Sequence, residues 1–181
     1  NRYIQELKKL NPDGAVGQRL NLLLEDLAYG RRQQLRVIKE LRDFCKTNLD
    51  LKQNIHYLSS IPGIGFITAV TILANIGDPQ ALRNVRELAG FAGVVPSEYS
   101  TGDKVTKGPI TRLGNRTLRS LLIEAAWVLI RHDQRLNQFY QRIRSKHHPS
   151  LGARKAIVAV ARKLTMIIYR ILKEQREYRP Y

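Results

Sequence analysis

The chain has 181 residues, and its 31 lysines and arginines exceed its 15 aspartates and glutamates, so the formal net charge is +16. That length allows one domain with a buried core and one extended element, and the charge indicates nucleic acid ahead of an anionic membrane surface as the partner. The single cysteine, Cys45, excludes an internal disulfide. No apolar run reaches membrane-spanning length and no secretory signal is visible, so we expect a cytoplasmic protein without membrane contact.

The first part of the chain has the pattern of helices used for assembly. Residues 1–10 resemble the end of a helix, and 11–14 is a turn signal. Apolar positions then recur at alternating spacings of four and three, which predicts a long, coiled-coil-like helix over about 16–47. We predict a helical assembly segment over 1–58, and we expect the chain to be part of a longer protein because it opens in a helical pattern without an initiator methionine. The seam positions are Leu20, Leu24, Leu27, Ile38, Leu41 and Cys45, with Arg31 and Gln34 between them.

A glycine-rich turn joins two predicted helices. Pro62 ends a helix over about 49–59, Gly63 and Gly65 permit a tight turn, and an apolar, buried helix begins near Phe66. The N–H groups at the start of that helix favour an anion. The pattern over residues 59–77 resembles the helix-hairpin-helix motif, in which a glycine turn holds a DNA phosphate without reading sequence. The alternative is a plain helix–helix turn whose glycines serve packing.

The rest of the chain is predicted to form a helical domain over 59–181, so the predicted fold class is all-α. A short helix is expected after Asp78 and Pro79, and residues 94–112 are expected to be an irregular loop, with a short strand pairing near Val94 and Val105 as the one alternative. Phe91 and Trp127 are predicted to lie in the core. Later helices are predicted over about 115–131, 133–146 and 152–175.

The final predicted helix combines an apolar stripe with many cations. The stripe is predicted to be core. The cations are either a solvated face or a surface that follows a nucleic-acid backbone, and both interpretations stay open. The stripe consists of Ile157, Val160, Leu164, Ile168 and Ile171, and the cations are Arg154, Lys155, Arg162, Lys163 and Arg170.

Two hydroxyl residues, Ser100 and Thr101, stand directly before Gly102 in the predicted loop. A hydroxyl that attacks a phosphodiester needs the developing negative charge to be stabilised, and cations that follow in the sequence could supply this. Taken by itself the pattern is weak, because serine–glycine pairs are common in loops. His147 and His148 are adjacent without other ligands at metal-binding spacing, so no metal site is predicted in this chain. The cations are Lys104, Lys107, Arg112, Arg116 and Arg119.

Four segments occur in an order that is specific in combination: SIPGIG, ELAGFAGVVPSEYSTGDK, GPITRLGNRTLRSLLIEAAW and ARKLTMIIYRILK. Together they resemble the C-terminal domain of the IS110 family of insertion-sequence transposases, also called bridge-RNA-guided recombinases, over residues 16–181. The resemblance implies an N-terminal ribonuclease-H-like domain whose acidic residues bind magnesium, and a helical C-terminal domain whose serine attacks DNA to form a covalent intermediate. It also implies assembly through the coiled coil as a dimer or tetramer, and a structured guide RNA that specifies the DNA partners.

The resemblance assigns the nucleophile to one of two residues. The family's serine stands directly before the loop glycine, where this chain has Thr101, and Ser100 lies one position earlier. By register Thr101 inherits the role, whereas by chemistry Ser100 is the less hindered primary alcohol, and we favour Ser100 slightly. Because the acidic domain is absent from this chain, we expect it to bind nucleic acid without completing recombination by itself.

The resemblance also implies which residues hold DNA. Asn115 either caps the helix that follows it or contacts DNA. A non-catalytic helix-hairpin-helix module that binds nucleic acid is the alternative to a transposase. The residues expected to contact phosphates are Gly63, Gly65 and Thr68 in the glycine turn, and Lys104, Lys107, Arg112, Arg116 and Arg119 around the hydroxyls.

Overall fold

The computed structural model describes residues 2–10, 14–101, 104–110 and 113–180. Helices dominate this part of the chain, which confirms the all-α class. In chain order the elements are α1 (Arg2–Leu10), α2 (Gly14–Thr47), α3 (Leu49–Ser59), α4 (Phe66–Ile76), a 3-10 turn (Pro79–Ala81), α5 (Val85–Ala92), β1 (Pro96–Thr101), β2 (Lys104–Ile110), α6 (Arg116–His132), α7 (Gln134–Arg144) and α8 (Pro149–Glu174).

The chain divides into two compact units, Asn1–Leu49 and Asp50–Tyr181. The boundary predicted from the sequence, at residue 58, lies within α3. No helix in the described part of the chain combines the length and the apolar composition that crossing a membrane requires.

The first unit contains the predicted long helix, which runs from Gly14 to Thr47. Surface pairs at helical spacing support it, including Lys46 with Asp43 at 3.0 Å. The hydrogen bond and the charge of Lys46 hold the pKa of Asp43 below its ordinary value. Burial raises the pKa of the Cys45 thiol.

The core of the second unit is built around α6 and α8. Helix α8 packs against α5, α6, α7 and the 3-10 turn. Each large apolar side chain buried there contributes roughly 1.5–3 kcal/mol relative to exposure. The predicted apolar stripe of α8 is confirmed as core, because Ile157, Val160, Leu164, Ile168 and Ile171 are all buried.

The segment after α4 differs from the prediction of a helix that starts after Asp78 and Pro79. Asp78 caps only a single 3-10 turn, its side chain accepting a hydrogen bond from the N–H of Gln80 at 2.8 Å. Helix α5 begins later, where Asn84 Oδ1 accepts from the N–H groups of Arg86 and Glu87. Two capping residues therefore stand close together in the sequence, and only the second starts an α-helix.

The prediction of an irregular loop over 94–112 was wrong for the residues described there. Strands β1 and β2 form an antiparallel hairpin, with an irregularity in the register between Pro96 and Glu98. Pairing the two strands satisfies backbone N–H and C=O groups that an irregular segment would leave without protein partners.

Two aromatic residues that were predicted to be core are partly exposed. Phe91 is 46% exposed and Trp127 is 37% exposed. Trp127 contacts Tyr140 edge-on, with ring centroids 5.6 Å apart, so one side of its ring packs against the core and the other faces solvent. The aromatic type alone indicated burial, but an amphipathic ring also fits the edge of a core.

Candidate nucleic-acid interface

The hairpin leaves and re-enters the helical body at one place, between the end of α5 and the start of α6. Gly93 ends α5 with a φ of 63°, a conformation that favours glycine. The N–H of Asn115 donates to the carbonyl of Phe91 at 2.7 Å. A β-carbon on Gly114 would collide with the backbone of Gly93 and Phe91. The close approach of these two chain segments therefore fixes the base of the hairpin.

The two candidate nucleophiles lie at the far end of β1. In the strand register Thr101 pairs with Lys104, and Ser100 pairs with Val105. Directly opposite residues of an antiparallel pair have Cα atoms about 4.5–5.5 Å apart. The structure thus brings both hydroxyl residues close to Lys104 along the backbone. Lys107 pairs with Glu98 nearer the base.

Arg112 lies outside the described residues, so the structure reports nothing on its predicted phosphate contact. Arg116, in contrast, is the first residue of α6 and is exposed. Of the two arginines predicted to contact phosphate between β2 and the first turn of α6, the structure therefore describes only Arg116.

Asn115 is the N-cap of α6, which confirms the capping alternative. Its Oδ1 accepts a hydrogen bond from the N–H of Leu118 at 3.0 Å. Its Nδ2 donates to Oδ1 of Asn75, near the end of α4, at 2.7 Å. A single side chain therefore begins one helix and joins it to another, so Asn115 is a structural residue of the hairpin base.

Arg119 has a structural role as well. Its Nη1 donates to the carbonyl of Ala92 at 3.3 Å, in the last turn of α5. A cation at the C-terminal end of a helix is favourable because unsatisfied carbonyls concentrate negative partial charge there. Arg119 is half-buried, whereas Arg116 is exposed. The two arginines differ in what the fold leaves available to a ligand.

The two glycines of the turn between α3 and α4 serve different purposes. Gly63 has a φ of 93°, and a β-carbon there would lie 2.7 Å from the carbonyl oxygen of Ala125 on α6. Gly65 is the N-cap of α4, has an ordinary φ of −87° and has open space where a β-carbon would be. Gly63 thus fits the packing alternative, and Gly65 leaves the start of α4 accessible. Thr68 is half-buried in the first turn of α4.

The glycine turn and the hairpin base lie at different places along α6. Gly63 packs against Ala125, whereas Asn115 stands at the start of the helix. Ten residues of α-helix separate Asn115 from Ala125, which corresponds to about 15 Å. The predicted contact residues therefore form two clusters, the glycine-turn cluster (63–68) and the hairpin cluster (100–119).

Within the described residues, no three His, Cys, Asp or Glu side chains are grouped as metal ligands.

Both clusters fall within a region that matches known proteins. Residues 55–141 match the family model of the transposase IS116/IS110/IS902 family. The chain is 32% identical over 184 residues to a protein of Coxiella burnetii named transposase for insertion sequence element IS1111A, which covers 98% of this chain and 50% of that protein.

Two further relatives are similar over shorter stretches. A transposase for insertion sequence element IS1328 of Yersinia enterocolitica is 32% identical over 136 residues, which cover 73% of this chain and 40% of that protein. A pilin gene-inverting protein of Moraxella bovis is 29% identical over 130 residues, covering 71% of this chain and 40% of that protein. This chain spans half or less of the length of these three relatives.

These matches define the class as a transposase domain. More particularly, the chain belongs to the IS116/IS110/IS902 transposase family, which confirms the resemblance drawn from its motifs.

Proposed function

We propose that this chain is the part of a transposase that binds DNA and supplies a hydroxyl nucleophile for strand cleavage and joining. The observation that carries the proposal is the strand register, in which Thr101 lies opposite Lys104 and Ser100 lies opposite Val105 at the end of a hairpin. This hairpin lies inside the segment that matches the transposase family. The relatives' names support DNA transposition as the reaction.

The proposed step is a phosphoryl transfer from DNA to the protein. The hydroxyl oxygen bonds to phosphorus, its proton passes to water, and the bond to the 3′ oxygen of the neighbouring nucleotide breaks. That oxygen leaves with the electron pair and takes up a proton, which gives a 5′-phosphoprotein and a free 3′ hydroxyl. Attack by another 3′ hydroxyl reverses the chemistry and restores the side chain. Cations of the hairpin stabilise the charge that develops on the phosphate, and Lys104, opposite Thr101 in the register, is the first candidate.

The two clusters are proposed to hold different phosphates. They lie about 15 Å apart along α6, whereas successive phosphates of one strand are about 3.4 Å apart along the duplex axis. The open start of α4 at Gly65 supports a backbone contact there, as in a helix-hairpin-helix. Arg116 supports a contact at the hairpin base, because it is exposed in the first turn of α6.

Assembly is proposed to use α2. The predicted seam residues Leu24 and Cys45 are already buried within the chain, but other large apolar side chains of this helix are exposed, including Leu27 of the seam at 51% and its neighbour Leu23 at 58%. A coiled coil between copies would cover them and produce a dimer or tetramer. The family resemblance further supports a structured guide RNA as a partner. It also supports a magnesium site on acidic residues elsewhere in the protein, and no step proposed for this chain runs through that metal.

The proposal is tested on the protein at the full length of its relatives, with a nicked DNA substrate that traps a covalent adduct. We expect mass spectrometry of the digested adduct to locate DNA on Ser100 or Thr101. Ser100→Ala and Thr101→Ala identify the nucleophile, because only one of them should abolish the adduct. Lys39→Gln, on α2, is a control that should leave adduct formation unchanged.

The alternative function is a non-catalytic helix-hairpin-helix module that holds nucleic acid. The open N-terminus of α4 is the observation that favours it. In that case the Ser100→Ala and Thr101→Ala double variant would support strand exchange at the rate of the unchanged protein. If the protein still binds DNA but no adduct forms on Ser100 or Thr101, the hydroxyl nucleophile is rejected and the non-catalytic binding module is the remaining function.

A further inference from the structure

A cleft lies between α7, α8 and the residues that follow α8, all within the second unit. Its volume is about 420 Å³, in the range of roughly 300–1,000 Å³ that is typical of ligand pockets. None of the residues that line it belongs to the glycine-turn cluster or the hairpin cluster. The cleft is therefore separate from the interface proposed for DNA cleavage.

The floor of the cleft is apolar. Leu136 lies on α7, and Met166, Ile167 and Ile171 lie on one side of α8, with Pro180 beyond the helix. Met166 is 50% exposed although it sits among apolar neighbours. An apolar floor that stays open to solvent can be covered by the flat face of a ligand, with a gain from burying that surface.

The rim of the cleft is mainly cationic. Its two lining carboxylates already have partners in the protein: Asp133 accepts hydrogen bonds from Leu136 and Tyr178, and Glu177 lies 2.8 Å from His56 Nε2. Glu174, beyond the rim, forms ion pairs with two of the cations. Five cations thus face three carboxylates, which favours an anionic ligand. The five are Arg135, Lys163, Arg170, Arg176 and Arg179.

Lys163 is positioned by an aromatic ring beside the cleft. Its Nζ lies 4.2 Å from the centroid of Phe139, and the guanidinium carbon of Arg142 lies 5.4 Å from the same centroid. Cation–π contacts of this kind restrain a flexible cation without neutralising its charge. Lys163 can therefore pair with an anion at the edge of the apolar floor.

We propose that this cleft binds an unpaired nucleotide segment of single-stranded nucleic acid. The base covers Met166 and Ile167, and the flanking phosphates pair with Lys163 and Arg179. A nucleotide joins a flat, weakly polar face to a phosphate a short distance away, which matches an open apolar floor beside cations. This inference rests on the nucleic-acid function proposed above and adds a second site for unpaired strands.

The test measures fluorescence anisotropy of the 181-residue chain with labelled oligothymidylate, oligouridylate of the same length, and an abasic deoxyribose oligomer. We expect the base-bearing strands to bind about three- to tenfold tighter than the abasic strand. Met166→Ser should remove most of that preference and leave abasic binding unchanged, and the exposure of Met166 makes the change compatible with folding. Adding oligodeoxyuridylate, which differs from oligouridylate only in lacking the 2′ hydroxyl, distinguishes DNA from RNA as the source of the unpaired segment.

Charge-matched double variants test the rim. Lys163→Gln with Arg179→Gln should weaken single-strand binding about tenfold, or roughly 1.4 kcal/mol. The control is Arg32→Gln with Lys39→Gln, two exposed α2 residues, which removes the same charge and should cost about twofold or less. Equal losses in the two variants, or equal binding of abasic and base-bearing strands, would overturn the proposal.

Two further measurements separate the outcomes. Both double variants should keep duplex-DNA affinity within about twofold of the unchanged chain, since the duplex binds at the other clusters. If the unchanged chain itself does not bind duplex DNA, the proposed function is rejected instead of the cleft. Displacement of oligothymidylate by a poly-aspartate peptide at similar concentration would assign the cleft to acidic peptides and overturn the nucleotide proposal.

Discussion

The hydroxyl of Tyr178 donates a hydrogen bond to Oδ2 of Asp133, across 45 residues of sequence. Asp133 is 2% exposed, and its Oδ1 accepts from the N–H of Leu136 at 2.9 Å, so this residue ends α6 with its backbone N–H and begins α7 with its carboxylate. The backbone N–H of Tyr178 also donates to Oγ of Ser60 at 2.8 Å, just before the glycine turn. One residue beyond α8 thus connects the α6–α7 corner to the start of the turn.

Replacing Tyr178 by phenylalanine removes only the hydroxyl and tests this connection. We expect the free energy of unfolding to fall by about 1–3 kcal/mol, because the buried carboxylate of Asp133 loses a partner. Urea denaturation followed by circular dichroism measures the change. Tyr29→Phe is the matched control, since Tyr29 is 59% exposed on α2 and should change stability by less than about 0.5 kcal/mol. Equal effects of the two changes would mean that the Tyr178 hydroxyl contributes nothing specific.

The two glycines of the turn should respond differently to alanine. Gly63→Ala places a methyl group 2.7 Å from the carbonyl oxygen of Ala125 at a φ of 93°, so we expect a loss of at least about 2 kcal/mol. Gly65→Ala meets open space at an ordinary φ, so it loses only the preference for glycine over alanine at an N-cap and should cost about 1 kcal/mol or less. Thermal and urea unfolding measure both. Similar stabilities for the two variants would contradict the assignment of Gly63 to packing.

Gly65→Ala also tests the phosphate contact proposed at the start of α4. If a backbone phosphate approaches that turn closely, an added methyl group should weaken duplex binding by about threefold while the fold stays intact. Anisotropy with duplex DNA measures the affinity, and the unfolding midpoint of the same sample reports the fold. Unchanged affinity would remove Gly65 from the interface.

Asn115 should contribute through two bonds that a double-mutant cycle can separate. Asn115→Ala loses the cap of α6 and the bond to Asn75, and we expect a cost of about 1–2 kcal/mol. Asn75→Ala loses the shared bond and should cost less. The coupling energy from the two single variants and the double variant should be about 0.5–1.5 kcal/mol. Asn21→Ala, exposed on α2, is the control, and a coupling near zero would show that the bond between the helices adds no stability.

The lysines of the hairpin should set part of the salt dependence of DNA binding. Each phosphate contact contributes about 0.9 to the slope of log affinity against log salt. Lys104→Gln with Lys107→Gln should therefore lower that slope by about two. Lys9→Gln with Lys39→Gln, in the first unit, removes equal charge and should leave the slope close to its original value. A slope that falls equally in both variants would indicate a diffuse charge effect instead of contacts at the hairpin.

The helices were predictable from sequence where apolar residues recur over several turns. The pattern of α2 and α8 extends over many residues, so their existence and approximate limits follow from periodicity. Asn115 also carried a readable signal, because an asparagine before an apolar helical run is a typical N-cap. The start of α5 was misplaced because Pro79 gave a similar signal slightly earlier, although Asn84 followed by Glu87 resembles a capping box.

The sequence suggested at most a short pairing near Val94 and Val105, whereas Val105 pairs with Ser100 in a longer hairpin, and the extent of that hairpin was missed because its local signals conflict. Gly102 and Asp103 form a typical two-residue hairpin connection in the sequence, but Pro96, Gly108 and Pro109 are unusual inside strands. The strands pair mainly with each other, so no apolar alternation against the core marks them.

The contacts that place the candidate site could not be predicted locally. Gly63 meets Ala125, and Arg119 meets Ala92, through the packing of α6 against its neighbours. Sequence patterns indicate which residue types can bind phosphate, but only the packing separates an exposed arginine from one that caps a helix. For that reason Arg116 and Arg119 looked equivalent in the sequence and differ in the structure.

The close approach of Gly93 and Gly114 has a consequence for how such proteins can diversify. The first and last residues of the segment that contains the hairpin lie side by side at this point. The end of α5 and the start of α6 can therefore meet in the same way whatever the length of that segment. Hairpins of other lengths and sequences could be exchanged there without shifting the register of α5 or α6. The helical body would then stay constant while the hairpin varies in length and sequence.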